Sequence, residues 1–241
     1  MPAKDTILRE IRAALEHEPR INVHRHPIHL DYRNGSLALE GEVDSIAAKK
    51  LALLRAKALN GMHNVVDRLR VLPGEARGDG AVRASLGDFL LHEPTLLRCR
   101  LMPRHKGRVE MLRDAGDPAA GWIEFDVTDG VVQLTGQVES LSHKRLAGVL
   151  AWWTPGRRDV VNELEIVPME YDNDPEIADA LRLVLEIDPM VDADQVSISV
   201  RDAVVTLQGL LVSDDQKKRA ELDAWYVDGV TDVVNHIIVG H

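Results

Sequence analysis

The sequence predicts an α+β protein built of three tandem αββαβ units, each a two-layer sandwich, with a basic β-hairpin inserted in the middle one. Three observations carry this expectation. One strand–helix–strand pattern recurs three times along the 241 residues. Each recurrence follows an aliphatic stripe of helical period that stops at an acidic residue and a proline. The distance between these two features is about the same in the first and third copies and much longer in the second.

The stripe comes first. Counting back from Pro19 reaches Leu15, Ile11 and Ile7; from Pro94, Leu90, Leu86 and Val82; from Pro189, Leu185, Leu181 and Ile177. All nine are aliphatic and share one helix face. The pairs Glu18-Pro19, Glu93-Pro94 and Asp188-Pro189 end these helices. Two strands follow, joined by Asn34-Gly35, Asp129-Gly130 and, less typically, Asp202-Ala203. Alternation puts Ile28, Leu30 and Tyr32 on one sheet face, with Ile123, Phe125 and Val127, then Val196, Ile198 and Val200, in the matching places.

The second strand ends at Leu-x-Gly, with Gly41, Gly136 and Gly209. Ser45, Ser140 and Ser213 follow at N-cap positions, each cap worth about 1 kcal/mol. The helices they open carry the alanine pairs Ala52/Ala56, Ala147/Ala151 and Ala220/Ala224, small enough to let helix and sheet approach. Gly61, Gly156 and Gly229 are placed as C-caps. A last strand begins at Val65-Val66, Val160-Val161 and Val233-Val234. The units span 1–73, 79–169 and 172–241. At about 70 residues each they are near the lower limit for folding alone, so packing of copy on copy is expected.

These motifs resemble the BON domain, down to the Gly-x-x-(Asp/Asn)-Val-Val-(Asp/Asn) run at 61–67, 156–162 and 229–235. The resemblance covers nearly the whole chain. It implies the αββαβ fold and a binding or scaffold role without catalysis, in settings such as stress response, envelope integrity and phospholipid binding. It also implies an alternative, a cytoplasmic cation sensor for potassium or another small ligand. Family members offer no catalytic residues to carry over.

Composition narrows the function classes. A net charge of −10 opposes nucleic-acid binding, which needs a basic footprint. No apolar run is long enough to span a membrane. The lone Cys99 forms no internal disulfide. With neither a leader nor a lipoprotein cysteine in the given sequence, the expectation is a cytoplasmic protein, or a periplasmic one if a leader has been removed. No phosphate loop, Cys-x-x-Cys or His-Glu-x-x-His motif occurs, Cys99 has no evident base, and no cofactor is implied. The chain therefore reads as a non-enzyme.

Candidate binding residues come from where the copies differ. From the proline to the Leu-x-Gly glycine runs 22 residues in the first copy, 42 in the second and 20 in the third. The extra segment, about 97–121, alternates apolar and basic residues on both sides of a turn at Pro103 to Gly107. Its cations are Arg98, Arg100, Arg104, Lys106, Arg108 and Arg113. Such an arm suits a phosphate headgroup, an acidic partner or the chain's own acidic third unit; a structural flap with solvated charges is the plainer reading. Trp152 and Trp153 align with Trp225 and Tyr226 but with Lys57 and Ala58 in the first copy, which leaves core packing, unit-to-unit packing and membrane insertion as readings. The recurring basic pairs Lys49-Lys50, Lys144-Arg145 and Lys217-Lys218 read as a solvated helix face. His24, His26 and His29 have spacing that suits weak transition-metal binding, yet neither other copy repeats them.

Overall fold

The computed structural model describes residues 4–33, 35–59, 64–116 and 121–240. Among them are six helices and eleven strands, in the order the repeat predicts. Two compact units form, Met1–Leu72 and Pro73–His241.

The first unit runs α1 (Lys4–Glu16), β1 (His29–Arg33), β2 (Ser36–Val43), α2 (Ile46–Lys57) and β3 (Asn64–Val71). Its sheet has the order β1-β2-β3, with β2 antiparallel to β1 and parallel to β3. The parallel pair needs a crossover, and α2 provides it. The second unit holds the other two copies. The middle copy contains α3 (Asp79–His92), β4 (Arg100–His105), β5 (Arg108–Val109), β6 (Trp122–Thr128), β7 (Val131–Val138), α4 (Leu141–Trp153) and β8 (Asp159–Ile166). The third contains α5 (Asp174–Ile187), β9 (Val196–Arg201), β10 (Val204–Leu211), α6 (Asp214–Tyr226) and β11 (Asp232–Val239). Their sheets run β5-β4-β6-β7-β8 and β11-β10-β9.

The sequence signals act as their chemistry requires. All nine stripe residues are buried, as are the six alanines. Ser45, Ser140 and Ser213 each accept a hydrogen bond at 3.2 Å from the backbone N–H three residues on. Gly41, Gly136 and Gly209 have φ of 145°, 137° and 146°. A Cβ there would come within 2.8, 2.1 and 1.9 Å of a carbonyl oxygen beside the neighbouring strand. That close approach explains why Leu-x-Gly recurs.

The acidic-Pro pair also has a mechanism. Glu18, Glu93 and Asp188 are buried, and each carboxylate accepts the N–H of the residue two positions on: Arg20, Thr95 and Met190. The acid thus turns the chain off the helix that the proline cannot continue. The Asp/Asn that closes the Val-Val run does similar work. Asp67, Asn162 and Asn235 accept the N–H of Leu69, Leu164 and Ile237 on their own edge strands. Asn162 and Asn235 also donate to the carbonyls of Lys144 and Lys217 on the covering helix. Each of these edge strands is therefore partly capped by its own side chain.

Three details differ from expectation. Gly156 and Gly229 are not C-caps: α4 and α6 end in extended backbone at Thr154 and Val227. The glycines lie two residues further, with φ of 89° and 92°, where a Cβ would press on Arg77 or on Arg145 and Ile177. Gly61 and Asn34 lie outside the described residues. In the insertion, Leu97 follows a 3-10 turn, Pro94–Leu96, rather than starting a strand. Pro103 lies within β4, and the hairpin turn is Lys106-Gly107 alone, between the paired His105 and Arg108.

Candidate functional site

The insertion is a hairpin whose long strand extends the middle sheet, β4 running parallel to β6 from Arg100 opposite Trp122 to Pro103 opposite Phe125. Its six cations divide by role. Arg113 is folded inward. Its Nε donates to the Cys99 carbonyl at 3.0 Å, Nη1 to Leu91 at 3.2 Å and Nη2 to Leu96, holding carbonyls at the end of α3 and in the 3-10 turn. Arg104 pairs with Glu124 across the sheet, Arg100 with Asp114 at 3.4 Å, and Arg98 reaches Glu139 at 4.0 Å. Lys106 and Arg108 project at the exposed turn, with no acidic partner among the described residues. The same arm exposes Leu97, Val109, Met111 and Leu112.

The aromatic pairs sit where the second and third copies pack, through α4 against α5 and α6. Trp152 stacks on Tyr226, ring centres 5.6 Å apart and planes 9° from parallel. The Arg157 guanidinium lies 5.7 and 5.8 Å from the two rings and donates to the Tyr226 hydroxyl at 2.7 Å. Trp153 Nε1 donates to Asp223 Oδ1 at 2.8 Å, and Arg219 lies 5.1 Å over its ring. Trp225 is buried. Trp152, Trp153 and Tyr226 thus pack between the second and third copies.

One member of each basic helix pair departs from a solvated face, while Lys218 is exposed. Lys49 is buried, donating to the Leu69 carbonyl at 2.7 Å and pairing with Asp67 at 2.8 Å. Its partner Asp67 stands where the other copies have Asn162 and Asn235. Arg145 is buried at the junction of the second and third copies, bound to the Asp228 carbonyl and to Asp172. Lys217 donates to the Ile237 carbonyl. Burying a cation is tolerable only with such partners, and the sequence pattern does not reveal them.

A groove of about 580 Å³ lies beside this junction, lined by Phe89, His92, Leu150, Trp153, Met190 and Arg219 among others. The other candidates are dispersed. His29 and His24 are exposed, and His26 pairs with Asp44 at 2.8 Å. No three His, Cys, Asp or Glu side chains among the described residues form a group that could hold a metal. Cys99 is buried, and burial pushes its thiol up, away from nucleophile activation. No described helix is long and apolar enough to cross a membrane.

Comparisons with known proteins follow the repeat. The family model described as BON domain matches residues 3–73, 110–168 and 173–241. A search of curated proteins finds no match. Among solved structures, a C-terminal domain of CdsD, the structural protein of the type III secretion system of Chlamydia trachomatis, is 16% identical, covers 100% of both chains and has a TM-score of 0.26. A second CdsD structure is 16% identical over 98% of this chain and 92% of that one, with a TM-score of 0.25. Likeness at that level carries no argument here.

Proposed function

This chain belongs to the BON domain family, and on that premise we propose that it is a non-enzymatic binding scaffold whose working surface is the inserted arm of the second copy. One observation supports the reading above others. Leu97, Val109, Met111 and Leu112 are exposed on the same arm that projects Lys106 and Arg108. Solvent-exposed aliphatics cost free energy unless a partner covers them, and several on one segment point to an interaction surface. Cations beside them favour a phospholipid headgroup or an acidic protein segment. The other arm cations are engaged within the fold, which leaves the tip as the part able to meet a ligand.

The test uses the full chain and a variant carrying Lys106→Glu, Arg108→Glu, Val109→Ser and Met111→Ser. Flotation with vesicles containing anionic lipid reads the phospholipid contact, and capture from lysate reads the protein contact. The variant is expected to fold and to lose whichever binding the parent shows. A folded variant that keeps all of that binding would remove the arm from the proposal.

A further inference from the structure

We propose that the groove between the second and third copies binds a small organic amine, whose protonated nitrogen pairs with Glu93 while its apolar body lies on Phe89, Trp153 and Met190. The acid that ends the first helix of each copy points to this site. In the first copy Glu18 takes one guanidinium from Arg20 at 2.9 Å and another from Arg55 at 2.8 Å. In the third, Asp188 takes Arg219. In the second, the positions aligned with Arg55 and Arg219 are Leu150 and Leu146, and the one aligned with Arg20 is Thr95. Glu93 is left with the Thr95 N–H, which Oε1 accepts at 2.8 Å, and with no cation among the described residues. At 6% exposure, solvent does little in place of the missing charge.

Glu93 lines the groove of about 580 Å³, a volume suited to a small molecule. The rest of the lining selects the ligand class. Its carboxylates are Asp88, Glu93 and Asp188, against one arginine, Arg219, which is already spent on Asp188 and Asp223. His92 is tied through Nδ1 to the Asp88 carbonyl at 2.8 Å. The groove therefore favours a cation, as does the net −10 of the chain. A hard metal ion needs several oxygen ligands, and no three His, Cys, Asp or Glu side chains gather among the described residues. The remaining walls, Phe89, Leu150, Trp153 and Met190, suit hydrocarbon, and Phe89 and Met190 are exposed without it. An ammonium on an apolar body meets both demands, because its N–H donors replace the arginine that the other copies supply.

Isothermal titration calorimetry of the full chain with phenethylammonium, phenethyl alcohol and phenylacetate tests this, at neutral pH and about 0.3 M salt to screen attraction to the acidic surface at large. The amine is expected to bind with a Kd of about 1 mM or tighter, at least about tenfold tighter than the alcohol or the acid, and to change tryptophan fluorescence through Trp153. Glu93→Gln keeps an acceptor for the Thr95 N–H and removes the charge. Leu150→Arg installs the arginine of the first copy and fills the ion pair from within. Either variant, where it melts as the parent does, is expected to bring the amine down to the level of the alcohol. The proposal is overturned by an amine that binds no tighter than the alcohol up to about 10 mM. Amine binding that leaves tryptophan fluorescence unchanged overturns it too, as does a folded variant that keeps the preference for the amine.

Discussion

Asp223 and Asp188 share Arg219, whose Nε lies 3.5 Å from Asp223 Oδ1 and 2.5 Å from Asp188 Oδ2, at the position where the first copy sets Arg55 against Glu18. Both pairs join the end of the first helix to the second helix of the copy, but the third copy has a carboxyl where the first has a guanidinium. Asp223 is fully buried. Burial, and then the neighbouring Asp188, push its carboxyl up to about 8. Asp223 Oδ2 is buried without a hydrogen-bond partner, as suits a carboxyl that keeps its proton. Burial alone would raise Asp188, but the Asp223 proton, Arg219 and the Met190 N–H outweigh it and hold Asp188 low. The Trp153 indole ties Asp223 to the second copy.

This pair gives the second unit a pH-dependent stability. Unfolded, Asp223 titrates near its ordinary 3.8; folded, at about 8. Between those values the folded chain holds a proton that the unfolded chain has released. Stability therefore falls as pH rises through that window and levels off above it. Asp188 has the opposite sign and loses its contribution only in more acidic solution, as pH falls through its lowered value. Asp223→Asn keeps a donor for Asp188 without a titrating proton and is expected to flatten the slope. All four tryptophans, 122, 152, 153 and 225, lie in this unit, so urea unfolding followed by their fluorescence reads it directly. A slope that persists in the variant would assign it to another group.

The hairpin turns of the second and third copies are held by a carboxylate from the preceding helix. Asp79 accepts the N–H groups of Asp129 and Gly130, and Asp174 those of Asp202 and Ala203. Ala203 has φ of 62°, a left-handed conformation that disfavours a side chain. Ala203→Gly is expected to stabilise the second unit by about 0.5–1 kcal/mol. Asp174→Ala, which leaves two turn N–H groups without their acceptor, is expected to cost about 1–3 kcal/mol. Equal and small effects from both substitutions would show that the strands alone fix the turn.

Repetition made the fold readable. The nine stripe residues, the three serines and the Leu-x-Gly glycines each act through local geometry, and threefold recurrence separates them from chance. The candidate site was less legible for a physical reason. Whether Arg113 or Lys106 is available depends on which carbonyls the folded chain leaves unsatisfied nearby, and both look alike in a basic run. Lys49 and Arg145 looked solvated because their partners, the Leu69 and Asp228 carbonyls, are distant in sequence. The Asp188–Asp223 pair had no sequence signal, since aligned positions 18/55 and 188/223 differ in charge. The one clue was Leu150 at the same place in the second copy, which marks the position as buried.

Lys49 tests the cost of removing one half of a buried pair. Its ammonium meets Asp67 and the Leu69 carbonyl, as Lys217 meets the aligned Ile237 carbonyl, but the first copy has an acid where the other two have an asparagine. Lys49→Met leaves Asp67 without this cation and is expected to destabilise the first unit by about 2–4 kcal/mol. Asp67→Asn restores the residue type of the other two copies, so the double variant Lys49→Met, Asp67→Asn is expected to recover part of that loss. Circular dichroism must follow this unit, since it contains no tryptophan. Additive losses in the double variant would rule out the compensation.

Arg113 and the arm tip separate folding from binding on one segment. Arg113 serves three carbonyls from a half-buried site, and burial lowers its guanidinium from its ordinary value. Its planar fork spans acceptors that a single ammonium does not reach together. Arg113→Lys is therefore expected to cost the second unit about 1–3 kcal/mol, with the loss read by tryptophan fluorescence in urea. Lys106→Ala and Arg108→Ala, at an exposed turn, are expected to shift stability by less than about 0.5 kcal/mol while weakening vesicle or partner binding. If Arg113→Lys is silent in stability, or the tip variants destabilise as strongly, the division of the arm into a folded-in arginine and an outward tip fails.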